Sequence, residues 1–319
     1  MAVVIRRMKV EDIVDAKGVD LLCWTDLRER FYGIRERLAP RTDENMLTFL
    51  HSDPDGAFVA SDECAGIIGS CFSHVWGATG WVGPLSVLPS YQARGLGKDL
   101  LKRSLRYLEE QGCVDIGLET MPENPTNMGM YLKAGLRPEG LVLTFSKKLD
   151  PEALEEGSEG RVSIERLSES SVQDALKKQM KRLSGSLRPG LDYTKEVELA
   201  QQFSLGDTLV ATFKDQVVGF CLVHTVLRRL NMSGSAVRVL AVDPGARDEV
   251  LESLVAAAEL MAADAKTPEI SIPIPAQCRR ALDLAFSRGY FITQSLVRLM
   301  WMGSSGVSDK SYNLCSWSG

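Results

Sequence analysis

No apolar stretch of the sequence comes near the roughly 20 residues that a membrane-spanning helix requires, so no bilayer span is expected. Histidine is scarce: there are three, and none has a partner at metal-ligand spacing. His74 and His224 each follow an apolar run and read as strand residues rather than catalysts. The seven cysteines stand singly at 23, 64, 71, 113, 221, 278 and 315, without a Cys-x-x-Cys pair. The odd count and wide spacing argue against a disulfide framework or a zinc site and predict reduced structural thiols, Cys113 among them. Charge is not heavily biased either. With 37 basic and 42 acidic residues the net charge is −5, which gives no global attraction to nucleic acid or an acidic membrane and only weakly favours a cationic substrate. The opening Met1 to Arg7 meets positive charge too soon for a signal peptide, and a cytoplasmic location is the default expectation.

What is present is an ordinary globular composition, 45% hydrophobic and 25% charged over 319 residues. That is too long for one common core and suits two domains of about 150 residues each. Periodicity predicts strands over 3–9, 57–60, 66–76, 81–88, 114–121 and 139–149, with helices over 11–22, 43–52, 95–111 and 125–134. The helix over 95–111 is the clearest, with Leu96, Leu100, Leu101, Leu105 and Leu108 at helical spacing among charges. An acidic, Gly- and Ser-bearing stretch at 150–160 reads as a linker.

The same order then recurs. Strands are expected from 161 and over 208–213, 217–226, 236–242, 269–274 and 291–301, with helices over 171–184, 193–203, 246–265 and 277–288. Ile68-Gly69 answers to Val218-Gly219, and Ala134-Gly135-Leu136 to Arg288-Gly289-Tyr290. Repetition at domain length predicts two copies of one fold, over 1–149 and 161–302, followed by a Ser- and Gly-rich tail at 303–319 read as a loose terminus. Hairpins followed by strand-helix-strand-helix-strand predict an α/β or α+β fold, a mixed sheet with helices on both faces.

One loop carries chemistry. A strand ends at Val87-Leu88-Pro89, and Gly95-Leu96-Gly97 opens the next helix. A helix N-terminus presents unpaired N–H groups and partial positive charge, a site for a diphosphate. Glycines let the backbone approach such a ligand, and Arg94 and Lys98 add positive charge. A P-loop would need Gly-Lys-Ser/Thr, which is absent, and a dinucleotide fingerprint would need a third glycine where Leu100 stands. Taken alone, the pair could equally be turn glycines.

Residues 85–98, from Leu85, Ser86, Val87, Leu88, Pro89, Ser90 and Tyr91 through Gln92, Ala93, Arg94, Gly95, Leu96, Gly97 and Lys98, resemble the central motif of the GNAT acetyltransferase superfamily. There an apolar strand runs into Val-x-Pro-x-Tyr/Phe and then Gln/Arg-x-x-Gly-x-Gly/Ala. Downstream, Asn124 to Leu136 resembles the family's Asn-x-x-Ala-x-x-Leu-Tyr-x-x-x-Gly-Phe, departing at Asn127, Met130 and Leu136. The resemblance covers residues 3–149 and implies two mostly antiparallel, twisted GNAT-like sheets. It implies acetyl-CoA as cosubstrate and no metal. Leu85, Ser86 and Val87 would pair with the pantetheine arm and hold the thioester carbonyl. Gln92 belongs to the same cofactor motif, and Ala93 to Lys98 would bind the pyrophosphate through main-chain N–H groups. Asn124 would hydrogen-bond the arm, and Tyr131 would return a proton to the CoA thiolate.

Amine acylation needs a neutral nucleophile, so a carboxylate must remove a proton. Glu119, five residues before Asn124, resembles the glutamate that serves as base at that spacing in ribosomal-protein alanine acetyltransferases and their close relatives; a solvated strand-end carboxylate is the alternative reading. Glu123, Asp26 and Glu29 are lesser candidates. Residues 20–45 are expected to line the acceptor cleft; within them Trp24, Phe31 and Tyr32 read equally as contacts for an aromatic or aliphatic amine or as core residues.

The second copy departs from the pattern. Its loop, Val242 to Val250, lacks Gln-x-x-Gly-x-Gly, sets Asp248 and Glu249 at the helix start, and Ala285 stands where Tyr131 would be. It is expected to be a degenerate copy that shapes the cleft. The expected activity is direct acetyl transfer to a primary amine of a small molecule, with oligomerisation left open. The alternatives are a protein or peptide N-acetyltransferase and a non-catalytic acyl-CoA-binding regulatory module.

Overall fold

The computed structural model describes residues 3–36, 38–150, 162–226, 229–230, 234–246, 248–307 and the backbone of 312–315. The expected linker at 150–160 lies, apart from Asp150, outside the described residues. The first half runs β1 (Val3–Arg7), α1 (Ile13–Tyr32), α2 (Asp43–Ser52), β2 (Phe58–Asp62), β3 (Gly66–Trp76), β4 (Thr79–Val87), α3 (Leu96–Glu110), β5 (Asp115–Thr120), α4 (Pro125–Lys133) and β6 (Arg137–Lys148). The second half repeats it as β7 (Ser163–Arg166), α5 (Gln173–Leu187), α6 (Thr194–Gln202), β8 (Gly206–Phe213), β9 (Gln216–His224), β10 (Ser235–Val242), α7 (Asp248–Asp264), β11 (Glu269–Pro275), α8 (Arg279–Ser287) and β12 (Phe291–Met302). Within the tail, a further strand, β13 (Tyr312–Cys315), pairs with β10.

Two expectations need correction. The helix expected over 11–22 spans α1, Ile13–Tyr32, and ends on the left-handed Gly33. The tail, expected to be loose, contributes β13. Polar residues such as Thr25, Asp26 and Arg28 break the apolar pattern of α1, but nothing there stops a helix until Gly33.

All the strands belong to one sheet, ordered β1-β2-β3-β4-β5-β12-β6-β11-β10-β9-β8-β7. The halves exchange their closing strands: β12 lies antiparallel on β5, β6 lies antiparallel on β11, and the two pair with each other at the centre. The strand order therefore reads alike from both ends. α1 and α2 pack over a core including Met8, Ala16, Met46 and Phe72, and α3 packs over Ile68, Val82, Ile116 and Leu299. The five leucines predicted to face inward from α3 are all buried, each contributing about 2 kcal/mol of gross apolar burial.

A second seam joins the halves at α1. The Asp20 carboxylate receives Arg41 Nε at 3.0 Å and Arg229 Nη2 at 2.6 Å, with all three side chains buried. Arg229 Nη1 also donates to the Ala39 carbonyl at 3.2 Å. The chain between α1 and α2 is thus pinned from the other half.

Candidate active site

β4 and β5 are parallel neighbours only where Thr79–Trp81 face Asp115–Gly117. Beyond this both strands continue unpaired with each other, and a cleft opens between them. Leu85, Ser86, Glu119 and Tyr131 line one cavity there, with Cys23, Trp24 and Leu27 from α1, Asn127 from α4 and Leu296 from β12. Four residues singled out in the sequence for arm binding, acid and base chemistry are thereby brought together.

The glycine loop sits at the end of β4. Ala93 and Gly95 both have left-handed backbone, with φ of 60° and 84°. These turns lead into the start of α3, whose first N–H groups lack i−4 acceptors. Gly95 has open space where a Cβ would stand, so its glycine is required by backbone conformation. At Gly97 a Cβ would come within 3.3 Å of Met130 Sδ, a tight contact to which the methionine side chain would have to yield. Gln92 Nε2 donates to the Val87 carbonyl at 2.9 Å and ties the loop back to the strand; Cys23 Sγ lies 3.0 Å from the same oxygen. Arg94 lies over the Tyr91 ring and donates to the Ser90 carbonyl. The Leu96 side chain is buried in the core and Lys98 is exposed. The loop thus combines left-handed turns, a helix terminus and the nearby cations Arg94 and Lys98.

Asn124 is the N-cap of α4: its Oδ1 accepts from Asn127 N at 3.1 Å. Tyr131, one and a half turns into α4, is buried, and burial pushes its phenol well above the ordinary tyrosine range. It is therefore fully protonated at neutral pH. Glu119 is buried against Arg298, whose Nη2 and Nε stand 2.7 and 3.0 Å from Oε1. The Arg298 guanidinium lies over the Trp81 ring at 5.3 Å.

The lesser candidates lie elsewhere in the network. Glu123 accepts from the Tyr32 hydroxyl, Asp26 pairs with Arg30, and Glu29 lies 3.5 Å from Arg35 on the surface. Desolvation, then Glu123, push the Tyr32 phenol up to about 12. Trp24 reaches the cavity; Phe31 packs beneath Arg30. His74 is buried in β3, and Cys113 is buried with its thiol raised to about 11 by desolvation. Among the described residues no cluster of three or more His, Cys, Asp or Glu could hold a metal, and no helix is long and apolar enough to cross a membrane.

Sequence reasoning missed Arg298 and Leu296. Both sit on a strand whose existence was expected but whose place beside β5 was not. The alternation of 291–302 identifies a strand, not its neighbour.

Comparison with known proteins agrees with this geometry. Residues 22–136 match the acetyltransferase (GNAT) family. No curated protein matches the chain significantly. Among solved structures, a putative acetyltransferase from Pyrococcus horikoshii superposes with a TM-score of 0.71 at 19% identity, over 98% of this chain and 94% of that one. A GCN5-related N-acetyltransferase from Sphaerobacter thermophilus gives 0.64 at 14% identity, over 97% and 98%. A tandem GNAT protein from the clavulanic acid biosynthesis pathway gives 0.61 at 14%, over 95% of this chain and 100% of that one. At these identities the likeness is one of fold, and it extends through both halves.

Proposed function

Because residues 22–136 match the acetyltransferase (GNAT) family, we propose that this chain moves an acetyl group from acetyl-CoA to a primary amine of a small molecule. The observation that carries this reading is the single cavity where the splayed end of β4 meets Glu119 and Tyr131. The loop Gln92 to Lys98 would hold the pyrophosphate, the backbone of Leu85 to Val87 the pantetheine arm, and Asn124 the arm's amide through its side-chain nitrogen.

The amine nitrogen attacks the thioester carbonyl carbon, its proton passing to Glu119 directly or through water. Collapse breaks the C–S bond, and the departing thiolate takes the Tyr131 proton. A phenol kept protonated by burial is suited to that step. Glu119 serves as base within its pair with Arg298, which holds the carboxylate in position.

A small acceptor is favoured by the covering of the cleft. Leu296 enters the cavity from the second half, and Arg229 pins the α1–α2 connection. The second half is read as a degenerate copy with a structural task. Release of CoA thiol during incubation with acetyl-CoA and a panel of amines tests the proposal, the expected result being turnover with a subset of small amines. Turnover only with peptide amino termini would establish the peptide reading. Acetyl-CoA binding without turnover on any amine would establish the binding-module reading.

A further inference from the structure

The second half keeps the splayed strand pair but fills it with its own chain. β10 and β11 are parallel neighbours only where Ser235–Ala236 face Ile270–Ser271, as β4 and β5 are at their own start. Pro244 follows Val242 by two positions, as Pro89 follows Val87, so Leu240, Ala241 and Val242 are the counterparts of Leu85, Ser86 and Val87. The tail strand β13 pairs antiparallel with these positions: Leu240 with Leu314, Ala241 with Asn313, Val242 with Tyr312, and Val239 with Cys315.

From this correspondence we propose that the second cleft is a strand-binding site whose occupant is the chain's own C-terminal segment, and that it holds no acyl-CoA. The comparison with the pantetheine arm rests on the reading of the first half given above. An extended peptide offers β10 the alternating N–H and C=O groups that any edge strand seeks, and such pairing supplies affinity through the main chain.

The rest of the cleft argues the same way. Asp243 Oδ1 accepts from Gly245 N at 2.7 Å and closes the shortened loop on itself. Asp248 and Glu249 occupy the first turn of α7, where carboxylates complement the helix terminus but repel a diphosphate. With β13 in place, Val239 to Val242 are fully buried, so removing it would leave backbone polar groups of β10 without partners.

The test uses a chain ending at Val307 and a fluorescent synthetic peptide of residues 308–319. The peptide is expected to bind the shortened chain one-to-one and to leave the full chain unbound. The peptide with Asn313→Pro and Leu314→Pro, which removes the ladder donor from whichever of the two N–H groups faces β10, is expected not to bind. Failure of the native peptide to bind the folded, shortened chain overturns the proposal, and so does a second acetyl-CoA site appearing on it. If the shortened chain does not fold, amide exchange on the full protein decides. Slow exchange within 312–315 is expected, and exchange at unprotected rates beside a protected β10 overturns the proposal. Acetyl-CoA titration of the full chain separates the two readings: no binding at all would sink the first-half assignment while leaving the peptide result to speak for the second cleft.

Discussion

Arg298 on β12 and Glu119 on β5 face each other directly across an antiparallel pair, joined by a 2.7 Å hydrogen bond, though they come from opposite halves of the chain. Both side chains are nearly inaccessible, at 7% and 0% exposure. Removing one member of a buried pair strands the other charge, which costs about 3–5 kcal/mol. Arg298→Ala is therefore expected to lower unfolding stability by that amount in urea denaturation. Arg298→Ala combined with Glu119→Gln should recover part of the loss, because no charge is then left alone. Equal stability of the single and double variants would show that the pair is not coupled.

The exchange of β6 and β12 makes the halves interdependent. A chain ending at Asp150 lacks the strand that pairs with β5 and leaves β6 without β12 and β11, its partners on either edge. We expect it to be insoluble or inactive when produced alone. Co-production with the remaining residues should restore a complex with acetyltransferase activity, checked by co-purification and CoA release. A fully active first half in isolation would refute the dependence.

Tyr131→Phe deletes one oxygen from a buried position and leaves the ring packing intact. General acid catalysis contributes about 100-fold or more, so kcat should fall by at least that factor. Acetyl-CoA affinity measured by calorimetry should be unchanged. Unaltered kcat would remove Tyr131 from the mechanism.

At Gly95 the left-handed backbone carries the argument, since space for a side chain exists. An L-residue there costs roughly 1–2 kcal/mol, and the loop can relieve it by turning its N–H groups away from the ligand. Gly95→Ala should therefore raise the acetyl-CoA Kd by about 10-fold, with little change in melting temperature. An equal affinity would mean that the loop does not use this conformation when loaded.

Much of this was legible in the sequence. The helix at α2 matches its expected span, 43–52: Thr42 caps its start, and Asp53, whose backbone leaves the helical region before Pro54, ends it. The glycine loop, Asn124, Tyr131 and Glu119 could be named as candidates because the segments around them resemble the motifs of a known family. What stayed hidden depends on long-range pairing. Nothing local in Leu296 or Arg298 says that their strand crosses to β5. Nothing in the Ser- and Gly-rich tail says that four of its residues complete the edge of β10. Asp20, Arg41 and Arg229 read singly as surface charges, and only their convergence explains why all three are buried.

His74 offers a test in solution that is independent of catalysis. Its ring lies within β3 between the Ser52 hydroxyl and the Gly83 carbonyl, the latter 2.7 Å from Nε2. Burial is the main cause that lowers its pKa, to about 4. The Gly83 carbonyl and Asp53 oppose the shift, while Arg238 and Lys195 add to it. The native state thus keeps His74 neutral, whereas the unfolded chain takes up a proton below about pH 6.5. Its full contribution is present above that pH and is lost as pH falls towards 4, by about 3 kcal/mol in all. Urea unfolding of the protein and of His74→Gln, compared at pH 7.5 and 5.0, isolates this residue from other titrating groups. The native protein should lose stability over that interval more steeply than the variant. Parallel losses would mean that the His74 ring is solvated in the native protein.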